Sequence, residues 1–178
     1  MLRILVLVTS ILLVLSCFAV AQDNPKAEIF GGYQYLRANT GVSGVDSINL
    51  NGWNASVNGF FTKNFGISAD FSGIYGSPFG ASTSFYTYMF GPIVRFPNSS
   101  KIQPFAHALF GASHGSVSAS GLGSTSDNGF AWAAGGGVDV NVNHRFAVRL
   151  AQADYLMTTF SNTNQNNFRY SAGVVFKF

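Results

Sequence analysis

Apolar and polar residues alternate with a period of two in eight separate segments of this chain, and that periodicity limits the fold more than any other feature. In 65–75, Phe65, Ile67, Ala69, Phe71 and Tyr75 alternate with Ser68, Asp70 and Ser72. In the closing segment, Phe168, Tyr170, Ala172, Val174, Phe176 and Phe178 share one face, and Arg169, Ser171, Gly173, Val175 and Lys177 share the other. The same pattern runs through 27–37, 51–61, 84–96, 102–115, 128–140 and 145–157. The segments run from 11 to 14 residues, at or somewhat above the roughly 9–11 residues that a tilted strand needs to cross a bilayer. One face of every segment is therefore apolar, and the fold must supply something for it to touch.

A soluble core is a poor match for the composition. Charged residues make up 10% of the 178 residues and aromatics 15%, with 18 Phe, while 20 glycines argue against helix throughout. The N-terminus is a separate matter. Arg3 precedes an apolar run, Ile4 to Leu15, and Ala19-Val20-Ala21 is a small-x-small cleavage site, so residues 1–21 read as a secretory signal peptide. Val14-Leu15-Ser16-Cys17 also resembles a bacterial lipoprotein box, which leaves lipidation of Cys17 as the alternative. Cys17 is the one cysteine, so a chain cleaved after Ala21 has neither a disulfide nor a thiolate ligand. Removing Arg3 leaves nine basic and seven acidic residues, a net charge of +2 that is too weak to imply nucleic acid. No later stretch is long and apolar enough to span a membrane as a helix.

Strands can span a membrane only if the sheet closes, because lipid offers no partner to an unpaired edge. The connections fit closure. Short turns at 62–64, 97–101 and 141–144 alternate with longer Gly-, Ser-, Thr- and Asn-rich connections at 38–50, 76–83, 116–127 and 158–166. Outer-membrane barrels show this asymmetry, with tight periplasmic turns and longer external loops. The expectation is an all-β, eight-stranded antiparallel up-and-down transmembrane β-barrel over 22–178, with both termini periplasmic. Ser171-x-Gly173-x-x-Phe176-x-Phe178 resembles the C-terminal β-signal of outer-membrane proteins. With it, 22–178 resembles the small OmpA/OmpX-like outer-membrane barrels, and 135–158 is similar to a recurring segment of such barrels. The resemblance implies an outer-membrane monomer embedded in lipid and lipopolysaccharide, with assembly through the Bam machinery, which would read Ser171, Gly173, Phe176 and Phe178. Full OmpA proteins add a peptidoglycan-binding domain after the barrel; this sequence stops at Phe178, so the barrel domain alone is expected.

Eight strands enclose an interior that side chains just fill. With the apolar parity facing lipid, Glu28, Asp70, Arg95, Asp139, Arg149, Arg169 and Lys177 point inward: three acids and four bases, expected to pair as a plug. A narrow ion path is the sharper alternative. Asp154 breaks parity with Arg149, which requires a bulge in the seventh strand or places one of the two near an interface.

Enzymatic readings rest on little. His114-x-Ser116 is similar to the His-x-Ser of outer-membrane lipid A deacylases, with Asp127 as a substitute acid across a loop. His107, His114 and His144 are too scattered for a metal site, and the strand after Gly135-Gly136-Gly137 argues against a phosphate loop. A secreted lipocalin-like carrier would need an apolar interior, whereas the polar parity here carries small residues and charges. The external loops, about 40 residues with Asp46 and Asp127 as their charges, would not hold a catalytic site rigid. The expected role is non-enzymatic, structural or through surface contact, without cofactor, metal or pore; Leu122 and Phe160 are the loop-tip candidates for an extracellular partner.

Overall fold

The computed structural model describes residues 26–42, 45–77, 82–97, 100–119, 123–160 and 163–178; within these, side chains at 39–46, 119–124 and 160–163 are not described. Eight strands occupy the described residues: β1 Ala27–Val42, β2 Val45–Phe60, β3 Phe65–Gly76, β4 Ser82–Arg95, β5 Ile102–Ala119, β6 Gly123–Asn141, β7 Phe146–Phe160 and β8 Thr163–Lys177. Each pairs antiparallel with its sequence neighbours, and β8 pairs with β1 to close the barrel. The closing seam runs from Glu28 opposite Lys177 to Ala38 opposite Asn167.

The short connections fall within a residue of where the sequence places them, at residues 61–64, 96–101 and 142–145, at the end that also carries Lys26 and Phe178. Three of the four long ones do not. Most of 38–50, 116–127 and 158–166 is strand rather than loop, with Ser116 opposite Ser126 and Thr159 opposite Asn164 in continuous register. Polar side chains on both faces hid these extensions, since a strand that leaves the membrane is wetted on both sides and loses its alternation. The barrel therefore has a turn end and a taller hairpin end. The residues from 22 to 25, and the signal-peptide reading of 1–21 with Cys17, lie outside the described residues.

A bulge in β7 resolves the parity conflict. The β7–β8 register shifts between Arg149 and Gln152, so Leu150 and Ala151 both face outward. Arg149 and Asp154 consequently lie on the same face, each 2% exposed. One extra residue per strand is enough to turn all the positions beyond it to the opposite face.

The outer wall is apolar and aromatic. Phe61, Phe65, Phe96, Phe176 and Phe178 stand exposed toward the turn end. Tyr33, Trp53, Tyr75 and Tyr88 stand exposed toward the hairpin end, where Tyr33 donates to Asn51 and the Trp53 Nε1 donates to the Tyr75 hydroxyl at 3.4 Å. These are the two interfacial girdles of a membrane barrel: ring bodies in hydrocarbon, phenol and indole dipoles near water.

Candidate functional site

The lumen is built in layers. Nearest the turn end, Glu28 accepts from Arg95 Nη1 at 3.0 Å and lies 3.5 Å from Lys177 Nζ. Arg95 Nε also donates to the Lys63 carbonyl, and its guanidinium lies 3.7 Å from the centre of the Phe60 ring. Lys177 donates to Gln103 and Asn141.

One layer in, Arg149 grips Asp139 with two hydrogen bonds, 2.8 and 3.1 Å. Its guanidinium sits between the rings of Phe30 and Phe105, at 4.3 and 4.1 Å from their centres. Bidentate geometry fixes the carboxylate, and the ring faces favour the cation where water cannot reach it.

The middle layer is the most connected. Arg169, 0% exposed, donates from Nη1 to Asp70 and from Nε to Asp154, each at 2.7 Å. Asp154 also accepts from Gln152 at 2.8 Å and meets His107 Nε2 at 2.8 Å, while Asn54 donates to the second oxygen of Asp70. The buried charges of the described residues come to four acids and four bases, since the bulge adds Asp154 to the three acids of the simple alternation. That balance is what a desolvated interior requires. Asp154 could be found from sequence, because two inward groups five residues apart on one strand imply a bulge. His107 carried no comparable signal.

Above this layer, past the Ser72–Thr87 hydroxyl pair (2.7 Å), the lumen turns apolar. Leu36, Leu50, Ile74, Met89, Leu109 and Leu156 form one buried cluster, with Ala38, Ile48 and Phe85 partly buried against it. This corrects the expectation of an interior lined by small polar residues and charges. In the hairpin half both parities are apolar, so alternation could not reveal that large aliphatic side chains point inward. The aliphatic layer fills the bore but not the mouth above it, where a cup of about 380 Å³ remains. The opposite mouth, at the turn end, holds a cup of about 340 Å³ edged by Arg95, Lys101, His144 and Lys177.

The C-terminal motif is split between the two faces. Ser171 is buried and Phe176 and Phe178 are exposed, the Phe176 ring packing edge-on against Phe146 with centres 4.8 Å apart. Gly173 sits opposite Gly32 on the closing seam, where a Cβ would fall 2.3 Å from the Gly31 carbonyl oxygen. A side chain there would force the seam apart.

His114 and Ser116 are not assembled into a catalytic group with Asp127. The His114 ring meets Asn128 Oδ1 at 2.7 Å, and the two residues are cross-strand partners. Asp127 is opposite Gly115, one position over, and therefore on the other face of the wall, where it lines the cup. Its carboxylate accepts from the Asn128 backbone amide. The period of two thus separates the acid from the histidine it would have to orient. Among the described residues no cluster of His, Cys, Asp and Glu is placed to hold a metal ion. Leu122 and residues 120–122 lie outside the described residues, and the side chains of Asp46 and Phe160 are not described.

Solved structures share this architecture. Ail, the attachment invasion locus protein of Yersinia pestis, superposes with a TM-score of 0.66 at 20% identity, covering 87% of this chain and 99% of that one. Neisserial surface protein A gives 0.68 at 18% identity, over 86% and 97%. The N-terminal barrel domain of OprF from Pseudomonas aeruginosa gives 0.57 at 13%, over 87% and 99%. Comparison with curated protein sequences finds no match. The family model described as outer membrane protein beta-barrel domain matches residues 10–178, and the chain belongs to that family, as an eight-stranded barrel of the outer membrane.

Proposed function

We propose that the protein is a non-enzymatic, non-conducting barrel that serves the outer membrane through structural integrity and contact at its hairpin end. The observation that carries this reading is the filled bore: eight buried, mutually paired charges capped by a layer of aliphatic side chains. An ion crossing it would have to displace paired charges and then shed its water against hydrocarbon, and both steps are costly.

In this reading residues 1–21 are removed by signal peptidase, both termini and the short turns face the periplasm, and the hairpin end faces outward. Lipid and lipopolysaccharide surround the monomeric barrel. Ser171, Gly173, Phe176 and Phe178 serve as the signal read by the Bam machinery. Ail has been crystallised with the heparin analogue sucrose octasulfate. A polyanion is a poor partner for this chain, whose segments 38–50, 76–83, 116–127 and 158–166 contain no Lys or Arg.

The test is purified protein in planar bilayers and in liposomes, assayed for conductance and for release of acyl chains from lipid A and phospholipid. Neither activity is expected. Reproducible channels altered by Arg95→Gln or Asp139→Asn would overturn the sealed bore, and hydrolysis lost in His114→Ala would overturn the non-enzymatic reading. For assembly, deleting Phe178 should lower insertion in cells far more than refolding into detergent; equal losses would reduce the residue to a girdle aromatic.

A further inference from the structure

Cations are distributed unevenly between the two ends of this barrel. Every short connection at the turn end carries an exposed one: Lys63 in 61–64, Lys101 in 96–101 and Arg145 in 142–145. No Asp or Glu occurs in any of the three connections. Toward the hairpin end the exposed base among the described residues is Arg37, and the segments 38–50, 76–83, 116–127 and 158–166 contain no Lys or Arg.

The backbones of the three turn cations are fixed, whereas their charged heads are not used. The Lys63 carbonyl accepts from Arg95 Nε, the Lys101 carbonyl from the Asn141 amide and the Arg145 carbonyl from the Lys177 amide. Among the described residues none of the three side chains makes an ion pair. The acids buried in the turn half are engaged elsewhere, Glu28 by Arg95 and Lys177, and Asp139 by Arg149. Three like charges held at one end without counter-ions attract anions from outside the chain.

Position selects the anion. Each cation shares its connection with, or adjoins, an outward ring of the turn-end girdle: Phe61, Phe96 or Phe146, all exposed. Such rings mark the edge of the hydrocarbon, and the headgroup layer beyond them is about 5–8 Å deep. Lys and Arg stems lie along apolar surface there while their heads reach the phosphates. The three connections join β2 to β3, β4 to β5 and β6 to β7, so the cations are spaced around the perimeter of the closed sheet. A compact soluble anion would meet one of them, whereas a leaflet meets all three. Lys26 stands by the closing seam, and Asp23, which precedes it, lies outside the described residues; the three turns suffice without it.

We propose that the turn end is a collar for anionic phospholipids, in which Lys63, Lys101 and Arg145 each hold a headgroup of net negative charge in preference to a zwitterionic one. Assigning these lipids to the periplasmic leaflet rests on the orientation proposed above; the preference itself does not.

The test uses the full barrel in nanodiscs with the same lipids on both faces, so a wrong orientation would leave the result unchanged. Two headgroup-photoactivatable probes, a phosphatidylglycerol and a phosphatidylcholine, are compared, with labelled residues located by mass spectrometry. At each of the three connections the anionic probe should label about fivefold more than the zwitterionic one at low salt. In about 1 M salt the two should converge. Lys63→Gln should abolish the excess at 61–64 and leave it at the other two connections, and Lys63→Arg should retain it; unheated gel mobility checks that each variant folds. Equal labelling by the two probes at low salt, or an excess that survives Lys63→Gln, Lys101→Gln and Arg145→Gln made together, would overturn the proposal. So would loss of the excess at all three connections on Lys63→Gln, or its displacement by soluble peptidoglycan fragments, since either would assign the cations to one shared polymer in place of the leaflet.

Discussion

The two halves of one lumen solve the same filling problem with opposite chemistry. In the turn half, charged and amide side chains interlock through hydrogen bonds and ion pairs between 2.6 and 3.5 Å, and aromatic rings pack against the guanidinium planes. In the hairpin half, six large aliphatic residues pack without direction and leave a cup above them. A charged layer has one arrangement that works, because every member needs its partner; an aliphatic layer has many, since any side chain of similar volume serves. The turn half should therefore be specific and intolerant, and the hairpin half tolerant and adaptable, as a mouth that meets other molecules needs to be.

The largest effect expected from this contrast is at Arg169. Arg169→Met strands Asp70 and Asp154 in a desolvated layer and should cost about 3–5 kcal/mol in urea unfolding from detergent micelles. A loss no larger than that of an aliphatic truncation would erase the distinction between the halves. Next is Met89→Ala in the aliphatic layer, expected to cost about 2–3 kcal/mol because the neighbouring cup gives the site room to relax, with Met89→Leu under about 1.5 kcal/mol. Comparable losses for the two substitutions would show that this layer is as exacting as the charged one. Smaller again is Phe105→Leu, which removes one of the two rings flanking Arg149 and should cost about 1–2 kcal/mol by the same assay. The smallest is Gln34→Leu. Both amide atoms of this fully buried residue lack a hydrogen-bond partner among the described residues, so the change should lie within about 1 kcal/mol of neutral, with the lost desolvation penalty favouring the variant.

Much of this architecture can be read from the residues, and the failures have physical causes. Alternation is a signal of environment, not of strand as such, so it marks β3 almost to the residue and stops where β1, β5, β6 and β8 leave the lipid. The inward position of Glu28, Asp70, Arg95, Asp139, Arg149, Arg169 and Lys177 follows from parity alone, because a charge facing hydrocarbon is so costly. Which charge meets which does not follow: Arg169 and Asp70 are 99 residues apart, and only the closed register brings them within 2.7 Å. The cup was hidden for a different reason. Leu36, Ile48 and Leu50 look like outer-wall residues until the register fixes them on the inner one.

The interdependence of the charged half is tested most directly by removing the carboxylate charges that loss of the arginine leaves unpaired. Urea unfolding of Arg169→Met should be compared with that of the triple variant Arg169→Met, Asp70→Asn, Asp154→Asn. If the arginine matters because it neutralises two buried carboxylates, removing their charges should recover most of the stability lost in the single variant. A triple variant as unstable as the single one, or less stable, would contradict the account.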